Sequence, residues 1–151
     1  MAKTPVTPET TLRLERVLAA PPTAVFDAWT SAEALTQWFA PTNVVRVPEL
    51  DARTGGRYRI EMENATGARY IITGVYEDVS RPTRLVFTWT WEVKPESNEN
   101  GDTRVTIELR PDGAGTRLVL THDRLTTIES REQHQKGWIG CLDSLDRHVT
   151  R

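Results

Sequence analysis

Cysteine and long apolar runs are both scarce in this sequence. The one cysteine, Cys141, rules out an internal disulfide and agrees with a reducing compartment. No apolar run approaches the roughly 18 to 20 residues that a bilayer span requires. The first ten residues include one lysine without an apolar segment behind it, so we expect neither a secretory signal nor an anchor there. We therefore expect a cytoplasmic protein without a membrane span.

An excess of either charge is also missing. The chain has 19 Lys and Arg residues against 21 Asp and Glu residues, which gives a formal net charge of −2 at pH 7. Binding to a phosphate backbone requires a basic excess, so we predict no nucleic-acid partner. The hydrophobic fraction of 38% and the charged fraction of 26% are typical of a soluble globular protein. We predict a flexible lead-in over residues 1–9 and a single domain over residues 10–151.

Signatures of common enzyme and metal chemistry are absent as well. The sequence has no phosphate loop, no dinucleotide-binding GxGxxG and no GxSxG nucleophile elbow. His134, Cys141 and His148 are spaced seven residues apart, and seven helical residues rise about 10.5 Å. Zinc holds its ligands at about 2.0 to 2.3 Å, so one helix cannot bring all three to one ion. We predict no metal and no cofactor.

The most informative segment present is residues 129–151, which has the periodicity of an amphipathic helix. Its apolar residues recur at i, i+3, i+4 and i+7 and share one face: Trp138, Cys141, Leu142, Leu145 and Val149. Ser130 followed by Gln133 has the form of a capping box and predicts the start of the helix. A free cysteine on such a face usually behaves as a small apolar side chain, so Cys141 is predicted to be inert.

The N-terminal part predicts one strand followed by two short helices. Residues 12–18 alternate as a strand does, and Pro22 suits the first turn of a helix that ends near Thr30. Thr30 with Glu33 has the form of a capping box and predicts a second short helix that ends before Pro41.

After residue 41 the alternation has period 2 and predicts about six further strands. In residues 57–63 the charged side chains face one way and the apolar ones face the other: Tyr58, Ile60 and Met62. An earlier strand, which contains Val45 and Val47, is expected to end at Pro48. The polar segment 94–103 is expected to be an exposed hairpin loop.

A series of short motifs between residues 10 and 149 resembles one known family. In order they are Ala20-Pro21-Pro22, Val25 to Thr30, Trp38 to Pro41, Gly55 to Arg59, Gly74 to Tyr76, Arg84 to Trp89, Gly115 to Leu118, Leu120 to His122, and Gly137-Trp138 with Leu142-Asp143. Together they are similar to the domains related to the activator of the Hsp90 ATPase. That family lies within the START-like, or SRPBCC, superfamily of Bet v 1-like proteins, which includes polyketide cyclases and plant pathogenesis-related proteins.

The resemblance implies an α+β helix-grip fold. Such a fold has a curved antiparallel sheet of about six to seven strands wrapped around a long C-terminal helix, with two short helices after the first strand. It also implies a hydrophobic cavity between the sheet and the helix, which in related proteins holds apolar molecules. It does not imply one common activity.

The candidate ligand-binding residues are those that the alternation or the helical stripe places inward, where they would line a pocket of roughly 300 to 1,000 Å³. They are Trp38, Tyr58, Ile60, Met62, Tyr70, Phe87, Trp89, His122, Trp138, Cys141 and Leu142. The alternative is that these side chains simply fill the core, as large apolar residues commonly do. Trp38 and Trp138 are the leading candidates for the mouth or lining of a cavity.

His122 is the one titratable side chain that the strand pattern places inward, because it shares parity with Leu118 and Leu120. An imidazole there can exchange a proton with a ligand near neutral pH. Alternatively, a neighbouring hydroxyl or carbonyl satisfies it as a buried polar group. The sequence shows no second catalytic partner, so we assign no catalytic residue.

Three functions follow as hypotheses. The first is binding of a small hydrophobic or amphipathic ligand between the sheet and the C-terminal helix. The second is a polyketide cyclase-like or hydratase-like enzyme that uses the same cavity. The third, which the resemblance suggests, is a co-chaperone-like domain that stimulates an Hsp90-type ATPase. The sequence leaves open whether the protein is a monomer or a homodimer.

Overall fold

A computed structural model of the protein describes residues 10–94 and 102–150. Its elements in chain order are β1 (Leu12–Leu18), α1 (Pro22–Thr30), α2 (Ala32–Trp38), β2 (Val44–Leu50), β3 (Arg57–Glu63), β4 (Arg69–Ser80), β5 (Arg84–Val93), β6 (Thr103–Asp112), β7 (Gly115–Asp123) and α3 (Ile128–Thr150). The expected lead-in and most of the expected loop, residues 95–101, lie outside the described residues.

Seven strands of the described residues form one curved antiparallel sheet in the order β1-β7-β6-β5-β4-β3-β2. All the later strands are joined to their neighbours in sequence, whereas β1 pairs with β7 at the far end of the chain. The two short helices follow β1, and the long helix comes last. This architecture confirms the α+β helix-grip fold that the sequence predicts.

Alternation in β3 shows why these residues form a half-buried strand. Tyr58, Ile60 and Met62 are all 6% exposed or less, while Arg57 and Glu63 at the strand ends are exposed. Successive side chains of a strand point to opposite faces, so one face joins the core and the other meets solvent. The predicted strand and its orientation are both confirmed.

The predicted end of β2 was wrong. The strand continues through Pro48 to Leu50, and its pairing with β3 shifts register between Arg46 and Glu49. β2 is an edge strand, and proline is tolerated at edges and bulges because no ladder hydrogen bond needs its missing N–H. Because of this register shift, the strand continues past Pro48, where the sequence predicted its end.

Both predicted capping boxes were misplaced. The cap of α2 is Ser31, whose hydroxyl oxygen accepts a hydrogen bond from the Ala34 amide at 3.1 Å, whereas Thr30 belongs to α1. The Thr127 hydroxyl oxygen accepts from the Ser130 amide at 2.9 Å where α3 begins. Neighbouring hydroxyl residues offer the same capping chemistry, so composition alone does not select between them.

Helix α3 packs its predicted stripe against the sheet. Of the five predicted apolar residues, four are buried and Val149 is half-buried. The stripe also carries polar side chains, because Ser130 and His134 are buried on the same helix. The Trp138 ring lies 5.0 Å from the Trp89 ring of β5, measured between ring centroids, so helix and sheet meet through aromatic side chains.

Candidate ligand-binding cavity

A cavity of about 430 Å³ lies between α3, strands β3 to β5 and the segment that leaves α2. Its lining residues are Phe39, Ala40, Pro41, Thr42, Asn43, Met62, Tyr70, Ile72, Trp89, Trp91, Lys94, Gln133, His134, Lys136, Gly137, Trp138, Gly140 and Cys141. Most of these side chains are apolar or aromatic, as is usual for small-molecule pockets. The cavity therefore occupies the space that a helix-grip fold encloses.

Aromatic rings build the sheet side of the cavity. The Trp89 ring centroid lies 5.6 Å from that of Trp91 and 6.2 Å from that of Phe39. Trp91 in turn packs edge-on against Tyr70 at 6.1 Å. Such edge-on and tilted contacts are favourable arrangements of aromatic pairs. The wall is thus made of rings that pack against one another.

Two glycines of α3 form the opposite side of the cavity. A Cβ atom added at Gly137 or Gly140 would meet no atom within 4 Å, apart from the adjoining backbone. Glycine inside a helix is destabilising by roughly 0.5 to 1 kcal/mol relative to alanine. Both glycines therefore leave this part of the cavity lining without side-chain atoms, at a cost in stability.

One contact ties the segment after α2 to α3. The Ala40 amide donates a hydrogen bond to the Cys141 Sγ at 3.4 Å, and Ala40 has a φ of 47° in the left-handed region. Burial raises the pKa of the Cys141 thiol to about 11, so the sulfur stays protonated near neutral pH. Because the thiolate is the reactive form of cysteine, this cavity-lining thiol is inert.

His122 does not line the cavity and belongs to a series of hydrogen bonds that begins at Trp138 and ends at the Trp89 backbone. Its Nδ1 accepts from the Trp138 indole N–H at 3.0 Å, so the ring proton is on Nε2. Nε2 donates to the Thr103 hydroxyl at 2.8 Å, and that hydroxyl donates to the Trp89 carbonyl oxygen at 2.9 Å. Burial, with a smaller contribution from His134, holds the pKa of His122 well below its ordinary value. The imidazole is therefore neutral and satisfied.

His134 lines the cavity and repeats this arrangement on the helix. Its Nε2 accepts from the Trp91 indole N–H at 2.9 Å, and its Nδ1 donates to the Ser130 carbonyl oxygen at 2.8 Å. The ring centroid lies 5.0 Å from that of His122. Each histidine thus accepts a hydrogen bond from a tryptophan that lines the cavity, Trp138 of α3 or Trp91 of β5.

The predicted site residues divide into two groups. Those that line the cavity are Met62, Tyr70, Trp89, Trp138 and Cys141. The others lie in the surrounding core: Trp38, Tyr58, Ile60, Phe87, His122 and Leu142. Contact with a ligand remains a prediction for both groups. The second group does not line this cavity, although Tyr58 borders a separate surface pocket with Arg57 and Arg59.

Trp38 and Tyr58 show what the core residues do instead. Trp38 is fully buried, and its indole N–H donates to the Ala28 carbonyl oxygen at 2.9 Å. Tyr58 donates its hydroxyl hydrogen to the Thr88 carbonyl oxygen at 2.6 Å. Both polar groups are therefore satisfied within the fold.

Several lining residues were missing from the predicted set. They are Phe39 to Asn43, Ile72, Lys94, Gln133, His134, Lys136, Gly137 and Gly140. The alternation of residues 85–91 does predict Trp91 on the same inward face as Phe87 and Trp89. A signal existed for His134 and Gly137, because each lies four residues before another lining residue of the predicted helix, Trp138 and Cys141 respectively. No comparable signal existed for the segment after α2, since its position depends on how the chain leaves that helix.

Charge is unevenly distributed around the cavity. Among the described lining residues are two lysines, Lys94 and Lys136, and no aspartate or glutamate. The Lys94 ammonium lies 4.9 Å from the centre of the Trp91 ring, within the range of a cation–π contact. The carboxylates of the sheet pair elsewhere, as when Arg59 contacts Glu61 at 3.0 Å.

The described residues contain neither a membrane-spanning helix nor a cluster of metal ligands. Across the described ranges, no helix combines the length and apolar character that crossing a membrane requires. Within residues 10–94 and 102–150, no three His, Cys, Asp or Glu side chains lie close enough together to hold a metal ion.

The fold and the cavity define a START-like helix-grip domain. The family described as "Activator of Hsp90 ATPase homolog 1-like protein" matches residues 19–150, so the chain belongs to that family. A comparison with proteins of curated function gave no match.

Solved structures agree with the family assignment. A Chromobacterium violaceum protein is 30% identical, with 94% of this chain and 98% of that chain covered and a TM-score of 0.86. A Silicibacter pomeroyi protein whose name places it in the same family is 33% identical, with coverage of 92% and 96% and a TM-score of 0.78. A protein from Arthrobacter aurescens is 17% identical, with coverage of 94% and 87% and a TM-score of 0.82, and shares the fold alone.

Proposed function

We propose that the protein reversibly binds a small apolar or amphipathic molecule in the cavity between the sheet and α3. The observation that carries this proposal is the cavity itself, whose volume of about 430 Å³ falls in the usual range for small ligands. The membership in a superfamily of cavity-forming domains supports it.

The apolar lining supplies sufficient driving force for binding. A ligand that buries 200 Å² of apolar surface gains about 5 kcal/mol at 25 cal/mol per Å². Association then costs translational, rotational and side-chain freedom, so the net affinity is modest. The wall includes Trp89 and Trp138, which are 5% and 2% exposed and hold their positions through ring contacts. A preformed wall keeps the ordering cost low.

The geometry favours binding over catalysis. His122 lies outside the lining with both ring nitrogens engaged, and His134 uses both of its nitrogens to hold Trp91 and the helix backbone. Cys141 stays a thiol. General acid–base chemistry needs a group within hydrogen-bond reach of the substrate and available to exchange a proton. The histidines of this structure are committed to the wall instead.

A matched pair of variants at Gly140 tests the proposal. The variant Gly140→Leu fills the cavity from the helix side, whereas Gly140→Ala adds one carbon in open space. N-phenyl-1-naphthylamine, a neutral dye that fluoresces in apolar surroundings, reports occupancy. We expect wild type and Gly140→Ala to bind the dye and Gly140→Leu to lose at least tenfold in affinity, a difference of about 1.4 kcal/mol.

Both variants replace a helical glycine, so both should unfold at a higher temperature than wild type. Dye binding to Gly140→Leu with wild-type affinity would contradict the cavity as the site. If wild type bound neither the dye nor any molecule carried through purification, as read by native mass spectrometry, ligand binding would be wrong. A pull-down with the host Hsp90-type chaperone would then test the activity that the family description names.

A further inference from the structure

We infer that the molecule in the cavity is an apolar anion, with its ring or chain among the aromatic side chains and its acidic group beside Lys94 and Lys136. This inference rests on the proposed function and specifies the chemical class of the ligand. A carboxylate, a sulfonate or a phosphate ester fits equally, because all present oxygen acceptors with negative charge.

The placement of lysine carries the inference. The sequence has only three lysines, of which the structure describes Lys94 and Lys136, and both line the cavity. Arginine is far more frequent in the chain, yet none of the arginines in the described residues belongs to the lining. Lysine carries a compact charge on a flexible stem with three donors. It can therefore follow a head group whose position varies.

The other lining residues also favour a negatively charged ligand. A cationic ligand would meet two ammonium groups and no carboxylate among the described lining residues. An anion would meet those ammonium groups and the side chains of Thr42, Asn43 and Gln133, which offer hydroxyl or amide hydrogens. Like charges in a site disfavour a cationic ligand, and opposite charges favour an anionic one.

The contact between Lys94 and Trp91 places the charge at the edge of the aromatic wall. The ammonium lies 4.9 Å from the ring centroid, and Trp91 is itself part of the lining. Trp91 also packs against Trp89, with ring centroids 5.6 Å apart, so the charged and the aromatic parts of the lining adjoin each other. The lining thus offers an ammonium group for the acidic part of the ligand and, next to it, aromatic rings for the apolar part.

Competition between matched amphiphiles tests the inference. Dodecanoate and dodecylamine share one alkyl chain and differ in the sign of the head group, and each is titrated against N-phenyl-1-naphthylamine bound to wild type. We expect dodecanoate to displace the dye at the lower concentration. We also expect Lys136→Gln to weaken dodecanoate by about two- to fivefold, the range for an exposed ion pair, without weakening dodecylamine.

Arg147→Gln is the matched control. It removes one positive charge from the same helix, eleven residues beyond Lys136 and so about 16 Å along the axis. That separation exceeds the Debye length of about 8 Å at 0.15 M salt, so its displacement curves should equal those of wild type.

These measurements distinguish a failure of the anionic-ligand inference from a failure of ligand binding itself. Preference for dodecylamine, or a Lys136→Gln variant with an unchanged ratio of the two affinities, would overturn the inference while the dye still showed a cavity. Absence from wild type of both dye binding and any copurified molecule would overturn both, and a copurified molecule without an acidic group would overturn the inference alone. An equal loss of dodecanoate affinity in Arg147→Gln and Lys136→Gln would assign the effect to net charge and also overturn the inference.

Discussion

Two neighbouring regions between the sheet and the helices differ in how they are filled. In the first, which we call the filled region, Trp38 packs edge-on against Trp29 at 4.8 Å and Tyr58 packs edge-on against Phe87 at 5.6 Å. In the second, the cavity, aromatic rings face a helix surface that contains Gly137 and Gly140. Aromatic side chains are abundant in both.

The difference teaches that an aromatic wall does not decide whether a cavity forms. We attribute the difference to the facing helix surface, where Gly137 and Gly140 place no side-chain atoms over the cavity. Interiors normally pack as densely as organic crystals, so an open region needs a structural cause. Here the cause is the helix face, and the following variants test the contrast between the two regions.

The largest effect is expected when a tryptophan is removed from the filled region. Trp38→Ala leaves a void at a fully buried site and removes the hydrogen bond to Ala28. We expect it to lower the free energy of unfolding by about 3 to 5 kcal/mol. Trp91→Ala also removes an indole hydrogen bond, to His134, but its half-buried ring already faces the cavity, so it should cost less than Trp38→Ala.

Urea unfolding of both variants measures this contrast, with the midpoint and slope fitted together. Equal losses at the two positions would mean that the cavity wall is packed as tightly as the filled region. The description of the second region as open would then be wrong.

A second contrast separates two tryptophans of the cavity wall. Trp138→Phe and Trp89→Phe remove the same atoms from buried sites, but only Trp138 donates its indole N–H, which goes to His122. Trp89 Nε1 has no hydrogen-bond partner among the described residues. Trp138→Phe should therefore cost about 1 to 3 kcal/mol more, the penalty for an unsatisfied buried acceptor.

Chemical denaturation again provides the measurement, and near-ultraviolet circular dichroism checks that both variants keep their aromatic packing. If Trp89→Phe were the more destabilised of the two, the hydrogen-bond chain through His122 would contribute little to the wall.

The smallest effect concerns pH. The unfolded chain protonates His122 near its ordinary pKa of 6.5, whereas burial keeps the folded imidazole neutral at that pH. The unfolded state therefore binds more protons, and stability should fall as pH drops below 6.5, by at most about 1.4 kcal/mol per pH unit. Arginine hydrogen bonds lower the pKa values of Asp27 and Glu61 from 3.8 and 4.5, so their stabilisation is lost only at lower pH.

The pH contrast is read from melting temperatures of wild type and His122→Gln between pH 7.5 and 5. The variant should lose part of the slope above pH 5, because glutamine does not titrate. Parallel curves for the two proteins would show that His122 is not the group that carries this dependence.

Much of the fold follows from the sequence because its periodicities are strong. Tyr58, Ile60 and Met62 alternate with charged residues and are buried as predicted, and Trp138 with Leu145 marks the gripping face of α3. Details that depend on competition between equivalent neighbours did not follow. Ser31 and Thr127 cap the two helices. The hydroxyl residues Thr30 and Ser130, which the sequence predicted as caps, have the same capping chemistry.

The site was less predictable than the fold for a physical reason. Parity and helical spacing show which side chains point inward, and Trp38 and Trp138 both do. They do not show which inward side chains border an opening, because that depends on what lies across from each. The glycines that create the opening, Gly137 and Gly140, have no side chain and therefore give no apolar signal.

The pairing of β1 with β7 also constrains how the chain is made. Leu12 lies opposite His122, so the first strand needs a partner that is 122 − 12 = 110 residues further along. During synthesis on the ribosome, β1 emerges long before β7 and has no pairing partner until β7 follows. Pairing over such a sequence distance is slow, and unpaired edges promote aggregation. The β1 edge of the sheet can form only after β7 has been translated.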